Sequence, residues 1–220
     1  MKSKYNYHRE NLRSDLINAG IKIVRSEGLE KLSLRKVAKE CHVSHAAPYT
    51  YFNSKQELLN AMQQHITNKF TRIMVETAEE YSNDPDQLIK LGNVYLQFFL
   101  KNPDYFNFTF NITGITVNLD NIHQDNYPPF DILKSAVIHA LKEQNFSDEL
   151  IMHNLAAIWA IIHGATSIAT MSGILFTGDW SEWITAILRH SFSFAGTTDS
   201  VKVLDKSFIE NLKKIVDKDN

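Results

Sequence analysis

The sequence predicts an all-α fold. Three observations carry that expectation. Apolar residues recur at steps of three and four, no stretch sustains the alternation of a strand, and the few breakers cut the chain into helix-length pieces. The 220 residues include 8 Gly and 5 Pro, with 44% apolar and 22% charged residues. That is an ordinary globular composition, with ample chain for a sizeable core. A single cysteine rules out an internal disulfide framework and suits a reducing compartment. The opening M-K-S-K-Y-N-Y-H-R-E-N lacks the apolar stretch of a secretory signal, so a cytoplasmic location is expected.

Residues 1–8 read as a short basic arm. A first helix is expected from about Arg9 to Ser26, with Leu12, Leu16, Ile17, Ile23 and Val24 inward and Gly28 closing it. Ser33 is a suitable N-cap for a second helix, whose stripe is Leu34, Val37, Ala38 and Cys41. The chain must turn at Glu40–Val43. No glycine stands there, and His42 is the residue best suited to a positive φ. Ser44 is then expected to cap a short helix over His45–Phe52, with Pro48 tolerated in its first turn. Ser54-Lys55-Gln56-Glu57 has the form of a capping box and opens a long helix from Lys55 to roughly Tyr81.

Further on, Asn83-Asp84-Pro85 stops and restarts the chain, with Pro85 suited to the first position of a helix reaching Lys101. Asn102-Pro103-Asp104 restarts another, to about Ile112. Residues 113–127 are polar and expected as a loop. Pro128-Pro129 opens a helix to Glu143, and Ser147 caps a long one to about Gly173. Residues 174–199 give no firm ends, although Trp180–Phe194 has helical character. Val201, Leu204, Phe208, Leu212 and Ile215 form a narrow stripe on a last helix.

Charge divides the chain. Residues 1–55 hold 11 Lys+Arg against 5 Asp+Glu, and the remainder 12 against 20, so a head of +6 is joined to a body of −8. A basic head on an acidic body is the asymmetry of a polyanion-binding module attached to something else. A boundary is expected inside the long helix rather than at a linker, giving domains 1–56 and 57–220. No linker-like stretch occurs.

V-S-H-A-A-P-Y-x-Y-F-x-S-K-x-x-L resembles the DNA-binding signature of TetR-type transcriptional regulators, and the preceding S-L-R-K-V-A resembles the opening of that family's second helix. The match covers about a quarter of the chain. Two positions depart from the family pattern: His42 replaces the usual turn glycine, and Pro48 stands where a branched apolar residue is commoner. The resemblance implies a three-helix helix-turn-helix head on a larger helical effector-binding and dimerisation domain. Ser44, His45 and Ala46 would open the recognition helix and face base edges. Tyr49, Thr50, Tyr51 and Lys55 would serve the backbone, and Ser33, Arg35 and Ala47 complete the DNA-binding set. The implied partners are double-stranded DNA with an inverted repeat, a small effector and a second copy of the chain.

Leu150–Gly178 carries no charged side chain. His153, Asn154, His163 and several Ser/Thr residues argue against a membrane span and for a helix buried on nearly all sides. Ala156, Ala160 and Gly164, like Ala165, Ala169 and Gly173, step by four in the manner of a helix–helix contact. Together with the stripe at 201–215 they suggest a four-helix dimer interface. Trp159-x-x-x-His163-Gly164 resembles a motif of one TetR subgroup. Aromatic residues crowd positions 95–110. They read either as core filling or, as the resemblance to TetR-type regulators implies, as the lining of an apolar effector cavity formed by Tyr95, Phe99, Phe106 and Phe110 with Trp159 and His163.

The common nucleophile, metal and phosphate-loop motifs are absent, so no catalysis, metal or cofactor is expected. Two readings stand. One is a dimeric, ligand-responsive repressor. The other is an all-α small-molecule-binding protein or enzyme with a vestigial DNA-binding head. Salt-dependent binding to duplex DNA separates them.

Overall fold

The computed structural model describes residues 4–121, 123–125, 127–142 and 146–192. Among them the secondary structure is helical, and the chain divides into two compact units, Met1–Ile66 and Thr67–Asn220. The division falls inside a helix, further along than residue 56, because that helix still buries Leu58, Leu59, Met62 and Ile66 beyond its first turn.

The first unit contains α1 (Lys4–Glu27), a single 3-10 turn (Leu29–Lys31), α2 (Leu34–Glu40), a second 3-10 turn (Ala47–Thr50) and the start of α3 (Lys55–Glu80). Helix α1 begins well before Arg9, so most of the expected arm is helical. Its buried line is Leu16, Ile17, Ala19 and Ile23, whereas Leu12 and Val24 are only half-buried. Gly28 ends it at φ 92°, a conformation that a side chain would oppose. At Gly20 α1 comes close to α3: a Cβ there would stand 2.9 Å from the Met62 sulfur.

The second unit continues α3 and adds α4 (Gln87–Lys101), α5 (Pro103–Asn107), a π-helical turn (Phe108–Thr113), α6 (Pro128–Lys142), α7 (Asp148–Thr170) and α8 (Trp180–Phe192). Pro85 lies just outside α4, whose N-cap position is Asp86. Ser147 caps α7 as expected, its hydroxyl accepting from the Leu150 N–H at 3.3 Å. The helix stops at Thr170, short of Gly173.

Helix α4 is the centre of this unit, packed against α5, α6, α7 and α8. Gly92 permits the approach: a Cβ there would meet Leu188 at 2.7 Å and Ile162 at 3.3 Å. A polar seam then fixes the register of α4 on α8. Asn93 donates to Thr185 at 2.9 Å, Gln97 to Ser181 at 2.6 Å, and Arg189 reaches Asp86 at 2.5 Å.

Helix α7 has the length and composition of a membrane span, but it packs on α4, α6 and α8. Its burial is one-sided, which corrects the expectation of a helix enclosed all round. Ile151, Leu155, Ile158, Ile162 and Ala165 face inward, while His153, Ala157, Ala160 and Ile168 are exposed. Hydropathy alone does not separate a buried face from an exposed row that is also uncharged. The expected helix at 200–216 and its stripe lie outside the described residues.

Candidate functional site

In the first unit the local chemistry shapes one exposed segment. The Ser33 hydroxyl accepts from the Lys36 N–H at 3.2 Å and starts α2, burying Leu34, Val37 and Ala38. Cys41 sits at the helix end and is only partly buried, a correction to its place on the stripe. Burial, with the charges of Asp15 and Glu40 beside it, raises the thiol above its ordinary pKa. His42 takes φ 54°, the left-handed turn conformation expected of it.

The next element corrects the expectation of a regular helix over His45–Phe52. It is a turn followed by 3-10 helix, with no side-chain cap. Pro48 is the cause, since it has no N–H to give the Ser44 carbonyl. The Ala47 N–H takes that carbonyl instead, at 3.0 Å, and the tighter spacing continues as Tyr49 bonds to Ala46 at 3.1 Å. Pro48 and Phe52 are buried, and Ser44, His45, Ala46, Tyr49 and Thr50 are exposed. Ala47 and Tyr51 are half-buried, and Ser33 and Arg35 are exposed at the start of α2. Tyr49 is a large aromatic side chain left 57% exposed. Arg13 covers the Phe52 ring at 5.6 Å.

Lys55 is held differently from the rest of the set. Its ammonium donates to the Leu29 carbonyl at 2.7 Å, tying α3 to the turn after α1. The capping box forms with a one-residue offset. The Ser54 hydroxyl accepts from the Glu57 N–H at 3.1 Å, while the Glu57 carboxylate accepts from the Asn53 N–H at 2.7 Å. Lys22–Glu40 and Lys36–Glu27 join α1 to α2 across the surface.

In the second unit the six expected ligand residues lie together. Tyr95, Phe99 and Phe106 are nearly inaccessible, and Phe110 is half-buried. His163 is ringed by Phe110 at 4.7 Å, Phe106 at 4.9 Å, Trp159 at 5.5 Å and Tyr95 at 6.3 Å. Its Nδ1 is 2.9 Å from the Tyr95 hydroxyl. Burial lowers its pKa, which favours the neutral ring. Phe70 of α3 completes the cluster, stacked on Phe98 at 4.7 Å and edge-on to Tyr95 at 5.2 Å.

Beside this cluster is a cavity of about 10 Å³, room for no more than one water. Tyr95, Phe110 and Trp159 line it, as do Met74, Leu91, Tyr127, Phe130 and Leu133, none of which the sequence singled out. The aromatic residues thus fill the core in this conformation. Tyr127 was concealed at the end of a polar loop. Its carbonyl accepts the first N–H groups of α6, from Phe130 and Asp131, at 2.8 and 3.1 Å. Its hydroxyl is buried beside Thr67 without a hydrogen bond of normal geometry, and burial pushes its pKa up to about 12. A wider groove of about 520 Å³ opens between α3 and α6, lined by Val75, Glu79, Ile132 and His139. None of the expected ligand residues lines it.

Residues 16–62 match the bacterial regulatory proteins of the tetR family, and residues 88–190 match the tetracyclin repressor-like C-terminal domain. Over 60 residues the chain is 37% identical to the HTH-type nicotine-responsive transcriptional repressor HdnoR of Paenarthrobacter nicotinovorans, a match covering 27% of this chain and 31% of that protein. The aligned part therefore spans less than a third of that relative's length. A solved protein of unknown function from Rhodococcus sp. RHA1 superposes with a TM-score of 0.66 at 22% identity, covering 83% of this chain and 94% of that one. The transcriptional regulator FadR from Bacillus subtilis, in complex with stearoyl-CoA, gives 0.58 at 14% identity, covering 80% and 95%. These two likenesses are of fold. With a tetR-type head and a tetracyclin repressor-like body matched in order on one sequence, the chain belongs to the TetR family of bacterial regulatory proteins.

Proposed function

We propose that the protein is a cytoplasmic, DNA-binding transcriptional repressor that acts as a homodimer on an inverted repeat and is released by a small, largely apolar molecule. The observation that carries the reading is the exposed segment Ser44–Thr50, anchored from beneath by Pro48 and Phe52. Ser44, His45, Ala46 and Ala47 supply the groove-facing end, and Tyr49, Thr50 and Tyr51 the backbone contacts, with Ser33, Arg35 and Lys55 flanking them. Such a segment presents small and polar groups to base edges while hydroxyls and cations meet phosphates.

The body supplies the second copy and the switch. The exposed, uncharged row His153, Ala157, Ala160 and Ile168 on α7 suits a close helix–helix contact with the same face of a partner. Helix α3 is continuous from Lys55 to Glu80, and Met74 on it lines the aromatic cavity. A ligand that enlarges the cavity must displace this helix or its neighbours. A stiff helix passes that displacement to its own first turn, and only a ligand favouring one arrangement shifts the equilibrium. The reading requires no catalytic step, metal or cofactor.

The test is a mobility-shift titration on duplex DNA flanking the protein's own gene, repeated across salt concentrations. Expected are a specific complex and an affinity that falls steeply with salt. A chain that binds small aromatics but shifts no duplex at low salt would instead be a ligand-binding protein with a vestigial head.

A further inference from the structure

We propose that the aromatic cavity takes an uncharged, single-ring aromatic ligand with one hydrogen-bonding substituent, seated where the Phe110 ring now lies and bonded to the Tyr127 hydroxyl. This rests on the reading of the cavity as the effector site and adds the chemical class.

Size and shape come first. At about 10 Å³ the cavity admits no organic molecule, so a side chain must leave before a ligand enters. Phe110 is the residue placed to leave. It is half-buried where Phe99 and Phe106 are nearly inaccessible, and it sits on the π-helical turn Phe108–Thr113 rather than on a regular helix. Such turns interrupt the hydrogen-bond register and recur at functional sites. Gly114, at φ 73°, ends the turn and faces open space. The Phe110 ring is held at 4.7 Å by His163, 4.9 Å by Phe106 and 5.6 Å by Phe99. Outward rotation of Phe110 leaves a ring-shaped space with aromatic partners already in place.

Polarity sets the substituent. The Tyr127 ring centroid is 6.3 Å from that of Phe110, the residue is 8% exposed, and its hydroxyl, beside Thr67, makes no hydrogen bond of normal geometry. A buried, unpaired hydroxyl is costly and is satisfied by any ligand group that accepts or donates a hydrogen bond. The other polar pair is already engaged, Tyr95 with His163 at 2.9 Å. Charge is excluded by the lining, which holds no Lys, Arg, Asp or Glu. A carboxylate or ammonium would be buried there without a partner.

The experiment is calorimetric titration of the full chain at pH 7 with phenol, toluene, benzoate and benzylammonium. Phenol is expected to bind about fivefold to tenfold more tightly than toluene, the worth of one hydrogen bond, and the two ions not to bind at millimolar concentration. Tyr127→Phe should bring phenol to the level of toluene and leave toluene unchanged. Phe110→Ala should bind both neutral probes more tightly because the space is already open. Phe110→Leu, which keeps more of the packing, should show the same direction more weakly. Equal affinity for phenol and toluene in the wild type, or a phenol preference that survives Tyr127→Phe, overturns the class while leaving the cavity as the site. Binding that neither Phe110 variant alters, or no binding of any probe, overturns the effector site itself.

Discussion

The Tyr95 hydroxyl and the His163 Nδ1 stand 2.9 Å apart and join α4 to α7 inside a cluster that is otherwise hydrocarbon and aromatic ring. Across the Phe110 ring the Tyr127 hydroxyl is buried beside Thr67 without a hydrogen bond of normal geometry. The two tyrosines therefore make opposite predictions for the same substitution. Tyr95→Phe leaves His163 unsatisfied and should destabilise by about 1–3 kcal/mol. Tyr127→Phe removes a desolvated hydroxyl that makes no hydrogen bond of normal geometry, so stability should hold or rise. Urea denaturation of both variants measures this directly, and an equal loss in both would refute the assignment of partners.

His163 also predicts a pH dependence. Burial lowers its pKa in the folded protein, so the unfolded chain takes up the proton first as pH falls. Stability attached to the neutral ring is complete above the unfolded value, about 6.5. It is lost as pH drops from there through the folded value, where the loss ends. His163→Gln cannot titrate and should lose less stability than the wild type between pH 7.5 and acid pH. Parallel stability–pH curves for the two proteins would exclude His163 as the source.

Much of the fold was legible because it depends on local chemistry. Ser33 and Ser147 accept from the N–H groups expected of caps, and Asn102-Pro103 and Pro128-Pro129 mark real helix starts. What was illegible depends on partners distant in sequence. Nothing around Gly92 indicates that Leu188 and Ile162 press on it, nor does Phe70 announce that it stacks on Phe98. The recognition segment failed for a local reason, since Pro48 was assigned to a first α-helical turn and instead enforces 3-10 geometry. The six aromatic and histidine positions do converge. The sequence could not reveal that they close the space between them.

His42, at φ 54°, holds a conformation that costs a side-chain-bearing residue about 1–2 kcal/mol. Glycine removes that strain but brings about 0.5–1 kcal/mol of extra unfolded-state freedom. His42→Gly should therefore stabilise by about 0.5–1 kcal/mol, with the turn unchanged. Calorimetric melting of the pair provides the check, and a lower melting temperature for the glycine variant would mean that the imidazole contributes something beyond conformation.

On DNA, Tyr49 and Lys55, both proposed as phosphate contacts, should behave differently. Tyr49 is exposed, so Tyr49→Phe should weaken all sequences alike without touching stability. Lys55 also holds the Leu29 carbonyl at 2.7 Å. Lys55→Ala should reduce the salt slope by about one and additionally cost about 1 kcal/mol of stability. Competition titrations on operator and random duplex at several salt concentrations, beside denaturation curves, separate the two effects. Altered base preference with an unchanged slope would remove Lys55 from the phosphate set.

The proposed dimer contact turns on α7. Ala160 is exposed, and at Gly164, one turn on, an added Cβ would meet nothing within 4 Å. A carboxylate at position 160 is therefore free of clashes within one chain and should leave the stability of the unit nearly unchanged. Against a second copy it would bury unpaired charge at the centre of the contact, twice over by symmetry. Two half-sites about 34–36 Å apart need two linked recognition segments, so a monomer keeps only the weak, non-specific part of the affinity. Ala160→Glu should elute as a folded monomer by light scattering and fail to shift an inverted repeat, while retaining salt-sensitive binding to random duplex. If the variant remains dimeric, or if the wild type is monomeric at micromolar concentration and still shifts the operator, the exposed row of α7 is not the contact.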